Sequence, residues 1–159
     1  MKFGNWLNKW QLTGIKLNAK FVEAEITFTD VDRQAAWELY VELLTRVATQ
    51  QLSNEDGDNL TALNSFYSLF PTTREILKKS GPRAINFSKV AIPILNQVVR
   101  PFTAKWHRIF VENDNVLTKE LENSFRKDII EVQIKIQKFL SILSEISEVE
   151  DLSNLETEE

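Results

Sequence analysis

A chain of 159 residues with 43% apolar side chains, ten phenylalanines and four tryptophans suits one domain with a real core, which excludes a wholly disordered protein. It has no cysteine, so disulfides, thiolate catalysis and cysteine-ligated metal centres are excluded. The net charge of −4 hides an asymmetry, because seven carboxylates follow Lys138, the last basic residue, and residues 1–138 carry 19 basic against 16 acidic side chains, a net of +3.

Phe3, Trp6, Leu7 and Trp10 recur at helical spacing beside Lys2 and Lys9. A short amphipathic helix of this kind can lie on a membrane surface through Phe3, Trp6 and Trp10, but it buries little area there. Packing of these rings onto the domain is the expectation. The chain start lacks the apolar stretch of a signal peptide, and no apolar run approaches the roughly 20 residues that cross a bilayer. A cytoplasmic protein is expected.

Next, Val22, Ala24, Ile26 and Phe28 alternate with Glu23, Glu25, Thr27 and Thr29, and Ile15 and Leu17 alternate upstream of Asn18. This period of two predicts a β-hairpin whose free edge is a candidate contact. From Asp30 the period becomes helical. Thr29 and Asp32 stand in capping-box relation, Val31, Ala35, Leu39, Leu43 and Val47 form an inner stripe, and Glu42 can pair with Arg46. Ser53 to Asp58 reads as a polar turn, without the ligand offsets of a calcium loop.

Leu60, Leu63, Phe66, Tyr67 and Phe70 mark a second helix, expected to stop at Pro71. Thr72-Thr73-Arg74-Glu75 then reads as a capping box opening a third, ended by Gly81-Pro82. Phe87, Ala91, Leu95, Val98, Phe102, Trp106 and Ile109 continue at helical spacing. Pro93 and Pro101 interrupt the seam, and because each lacks an amide hydrogen a kink or break is expected near Gln97–Pro101. The last helix, about Val116 to Val149, carries Ile129, Val132, Ile136, Phe139, Leu143 and Ile146 at steps of three and four. A second apolar set, Ile130, Ile134, Leu140 and Ile142, is expected to leave surface for a partner. The expected fold is mainly α, a four- to five-helix bundle with a small N-terminal β-hairpin. Residues 1–150 form one helical domain (1–29 a short helix plus the β-hairpin, 30–150 helices), and 151–159 form a loose acidic tail.

His107 is the sole histidine, so a metal centre built on several histidines within one chain is excluded. No phosphate-binding glycine loop, dinucleotide fingerprint or nucleophile-elbow serine is present, and no metal or cofactor is expected. Arg100 and His107 are seven residues apart, two helical turns, and Thr103 falls between them, with Lys89 and Asn96 upstream on the same polar line. The segment Arg100-Pro101-Phe102-Thr103-Ala104-Lys105-Trp106-His107 resembles the arginine–spacer–histidine motif of the HEPN family of small helical bundles, which includes many prokaryotic ribonucleases. Such nucleases usually carry a polar residue where Pro101 stands. The resemblance implies a dimer that cleaves RNA without metal, Arg100 steadying the phosphate and His107 acting as general acid or base.

Around this segment, residues 72–108 hold Arg74, Lys78, Lys79, Arg83, Lys89, Arg100, Lys105 and Arg108 against Glu75 alone. These cations, with Trp106 as a stacking ring, are the candidate binding surface for RNA, DNA or a nucleotide. A body of +3 is modest for a dedicated nucleic-acid binder. The leading expectation is therefore a non-catalytic interaction or adaptor module. It would act as a homo-oligomer or with a protein partner in a bacterial assembly, by association an antiviral defence system, with a basic centre for a phosphate-bearing ligand. The metal-independent ribonuclease is the alternative.

Overall fold

The computed structural model describes residues 1–12, 14–46 and 58–155. The expected helical stripe at Val47, the polar turn from Ser53 to Gly57, and the terminal carboxylates Glu156, Glu158 and Glu159 lie outside the described residues.

Helix α1 (Phe3–Asn8) and the short α2 (Ala19–Glu23) precede a helical bundle. The bundle comprises α3 (Asp30–Leu44), α4 (Asn59–Tyr67), α5 (Leu69–Ser80), α6 (Ile85–Ile94), α7 (Arg100–Glu112) and α8 (Lys119–Ser147). Helix α3 packs chiefly on α8 and also on α5 and α6, while α4 leans on α5 and α7. No helix among the described residues is long and apolar enough to cross a membrane.

The expected β-hairpin does not form. Among the described residues there is no strand, only an isolated antiparallel bridge between Lys2 and Glu25. Asn18 caps α2 by accepting the Lys20 amide at 2.9 Å, so the residues expected to turn the hairpin begin a helix instead. The extended remnant pairs with the start of the chain rather than with Ile15 and Leu17: the Phe3 amide donates to Ala24 and the Ile26 amide to Met1, each at 2.8 Å. Alternation persists in burial, with Ile26 buried, Phe28 half-buried, and Glu25 and Thr27 in solvent. Gly4 lets α1 approach this segment, since a Cβ there would run into the Val22 side chain. Phe3 and Trp6 are buried, and Trp6 Nε1 donates to Glu145 of α8 at 2.9 Å.

Helix α3 opens on the expected capping box. The Thr29 hydroxyl accepts the Asp32 amide at 3.3 Å and Asp32 Oδ2 accepts the Thr29 amide at 2.8 Å. The other Asp32 oxygen accepts the Phe87 amide at 2.8 Å, so one fully buried carboxylate holds the first turns of both α3 and α6. The stripe residues Ala35, Leu39 and Leu43 are buried, with Val31 half-buried, and Glu42 pairs with Arg46 at 2.6 Å.

The boundary expected at Pro71 lies earlier. Helix α5 starts at Leu69, directly after α4, and places Pro71 in its first turn, where a missing amide hydrogen has no intrahelical partner to lose. The expected capping box at Thr72–Glu75 therefore falls inside a helix. Thr72 instead accepts Arg46 Nη2 at 3.0 Å, and Thr73 turns into the interior. Gly81 ends α5 with φ +70°, a conformation that favours glycine, and Gly81–Arg83 form a 3-10 turn.

No break occurs near Pro101: Pro93 lies inside α6, and a π-helical turn, Leu95–Val99, joins α6 to α7 without interruption. Its wider ladder, with the Arg100 amide donating to Leu95, spares the clash a proline ring makes with the carbonyl four residues back. The α8 seam from Ile129 to Ile146 is buried as expected. Of the second apolar set only Ile130 and Ile134 remain exposed. Leu140 and Ile142 are buried, because the helix is covered on a wider arc toward its C-terminal end. The acidic tail is pinned at its start: Tyr40 Oη accepts the Leu152 amide at 2.6 Å, and Asp151 accepts the Ser141 hydroxyl at 2.6 Å.

Candidate functional site

The basic centre divides into committed and uncommitted cations. Lys79 pairs with Glu38 at 2.9 Å and Arg108 with Glu112 at 3.7 Å. The Lys79 hydrogen bond holds the Glu38 carboxyl below its usual range. Lys105 pairs with Asp128 at 2.5 Å. Lys89 donates to Asn86 at 3.1 Å and lies 6.0 Å from the Phe21 ring centroid. Arg83 sits exposed on the 3-10 turn. The expected stacking ring, Trp106, is in the core at 0% exposure, packed edge-on against Phe125 at 5.0 Å with Nε1 donating to Asp128 at 2.9 Å. It offers no face to a ligand.

Arg74, Lys78 and Arg100 differ. They line one cleft of about 350 Å³ between α5 and the α6–α7 rod. Among the described residues none of the three has a carboxylate within 4.0 Å. The π-turn supplies Leu95 and Asn96 to the wall and presents Arg100 just beyond them. Asn96 Oδ1 accepts from Arg100 Nε at 3.2 Å and Nη2 at 3.1 Å, which occupies its oxygen and leaves its NH₂ as a donor. The Arg100 guanidinium also stacks on Phe70, 4.6 Å from the centroid, so its direction is set by two contacts.

Burial sorts the lining. The three cations are exposed and form the mouth, whereas Leu95 and Thr73 are buried and form the floor. Thr73, at 2% exposure, has a hydroxyl with no hydrogen-bond partner. Helical hydroxyls normally donate to a carbonyl one turn back. Here Ser88 does so to Ala84, Thr103 to Val99, Ser144 to Ser141 and Ser147 to Leu143. Thr73 is the buried side-chain hydroxyl left unsatisfied among the described residues, and it stands on the cleft wall. No protein-family model, curated protein or solved structure matches the chain. The geometry of this cleft is therefore what bears on function.

Arg100 and His107 both lie on α7, beyond the π-turn, and both are exposed. His107 sits by Tyr67, with ring centroids 6.1 Å apart, and Tyr67 in turn meets Phe70 at 6.1 Å. Thr103, expected on the same polar face, is buried. Lys89 precedes the π-turn and is not part of the cleft wall. Sequence reasoning missed Thr73 by reading it as part of a cap. The available signal was its spacing, four residues after Leu69 and three before Ile76, an inward position occupied by a polar side chain.

Proposed function

We propose that the chain is a non-catalytic binding module, an adaptor within a bacterial multi-protein assembly of the antiviral kind, that takes a phosphate-bearing ligand in the α5–α6–α7 cleft. The observation that carries this reading is the convergence of Arg74, Lys78 and Arg100 on one cleft with no carboxylate among the described residues to neutralise them. Three uncompensated cations around a concave surface favour a multiply charged anion, and arginine suits the planar, forked contacts that phosphate oxygens accept. Titrating the protein with inorganic pyrophosphate in a calorimeter tests it. Binding should weaken at least tenfold in the Arg74→Ala/Lys78→Ala variant, at two charge-assisted contacts of about 1.5–3 kcal/mol each. Absent binding, or affinity unchanged in the variant, overturns the reading.

A second reading is favoured by one observation: α7 is regular from Arg100 to Glu112, so Arg100 and His107 lie two turns apart on one helix despite Pro101. This spacing supports a metal-independent ribonuclease of the HEPN type. Labelled RNA incubated in a chelator with wild type, His107→Ala and Arg100→Ala decides it. Cleavage lost in both variants establishes the enzyme, and intact RNA with wild type removes it.

A further inference from the structure

Resting on the phosphate-binding reading of the same cleft, we propose that the ligand is a nucleoside diphosphate, its base against the floor and its diphosphate at the mouth. Orientation follows from the sorted lining. The buried Leu95 and half-buried Leu77, with Ile92 exposed at the rim, favour an apolar body, while charge belongs at the mouth, where Arg74, Lys78 and Arg100 meet it and where desolvation is least.

Two features select a base over other apolar bodies. The Thr73 hydroxyl lacks a partner, and rotation about its χ1 exchanges hydroxyl and methyl, so an edge bearing an acceptor or donor can satisfy it. Asn96 retains its NH₂. A lipid tail would leave the buried Thr73 hydroxyl without a partner, whereas a heterocyclic base offers a hydrogen bond to it and another to the exposed Asn96 NH₂. Three cations match the charge of a diphosphate better than that of an aromatic monocarboxylate. The cleft, about 350 Å³, lies near the lower end of small-molecule sites, which admits one ring system and excludes a buried oligonucleotide.

Calorimetric titrations with ADP, GDP, CDP and UDP, each beside pyrophosphate, test this on wild type and on Thr73→Val. The valine variant removes only a hydroxyl that has no partner, so it should fold, and a thermal melt verifies that. At least one nucleoside diphosphate should bind tenfold or more tighter than pyrophosphate. Thr73→Val should weaken that binding about three- to tenfold and leave pyrophosphate unchanged. Equal affinity for pyrophosphate and all four nucleotides, or an undiminished nucleotide preference in Thr73→Val, overturns the base assignment while the phosphate site stands. If neither pyrophosphate nor any nucleotide binds, the phosphate site itself falls.

Discussion

The contact of α3 with α8 and the cleft between α5 and the α6–α7 rod are both built from packed helices, yet they treat polar groups in opposite ways. Around the first, Asp32 is consumed by two helix starts, and the Tyr40 phenol is fastened to Asp151 and Leu152. Burial pushes the Tyr40 phenol up, so it stays protonated at neutral pH and can both donate and accept. At the second, among the described residues, a buried hydroxyl has no hydrogen-bond partner and three cations have no carboxylate to neutralise them. A group satisfied inside the chain stabilises the fold. One left unsatisfied beside open space contributes nothing to the fold and is available to a ligand.

Substitutions should separate the two regions by what they change. Leu143→Ala, on the α8 seam, should lower unfolding free energy the most, by about 3 kcal/mol in urea titration, through lost burial and a cavity. Next comes Asp32→Ala, which strips the partners from two helix starts. It should cost about 2–3 kcal/mol by the same measurement. The cleft variant Arg74→Ala/Lys78→Ala should move stability by less than about 0.5 kcal/mol, because exposed side chains without ion pairs contribute little to the fold. A loss comparable to that of Asp32→Ala would show that the cleft cations are structural and erase the contrast.

The smallest effect is pH-dependent. Burial pushes the Asp151 carboxyl up, but hydrogen bonds from Ser141, Ser153 and Tyr40 more than offset it and hold the group below its ordinary 3.8. A depressed folded value means that this anchor is fully present above the ordinary value and is lost as pH falls through the depressed one. The Leu152 amide resonance should therefore keep its neutral-pH position down to about pH 4 and shift only below it, and Ser141→Ala should move that transition upward. A transition already displaced above the ordinary carboxylate value in wild type would contradict the anchor.

Much of the bundle is written in side-chain spacing. The α3 stripe, the Thr29–Asp32 box and the α8 seam appear in the structure where apolar periodicity and capping chemistry put them, because each depends on residues within a turn or two of one another. The hairpin and the Thr72 cap were equally local inferences and did not form. Asn18 had a competing local bond that starts a helix, and Pro71 could be absorbed in a first turn rather than ending one. Local signals of similar strength are settled by which alternative the rest of the chain can pack against.

The sequence by itself determined a cysteine-free, helix-rich chain with a cationic middle and an acidic end, since composition and period need no knowledge of distant neighbours. Tertiary structure alone decided which cations stay unpaired, that Trp106 is core, and that Thr73 faces a cleft without a partner. Ion pairing and hydroxyl satisfaction depend on residues far apart along the chain, such as Lys79 with Glu38, and a wide turn before Pro101 brings Asn96 and Arg100 opposite α5.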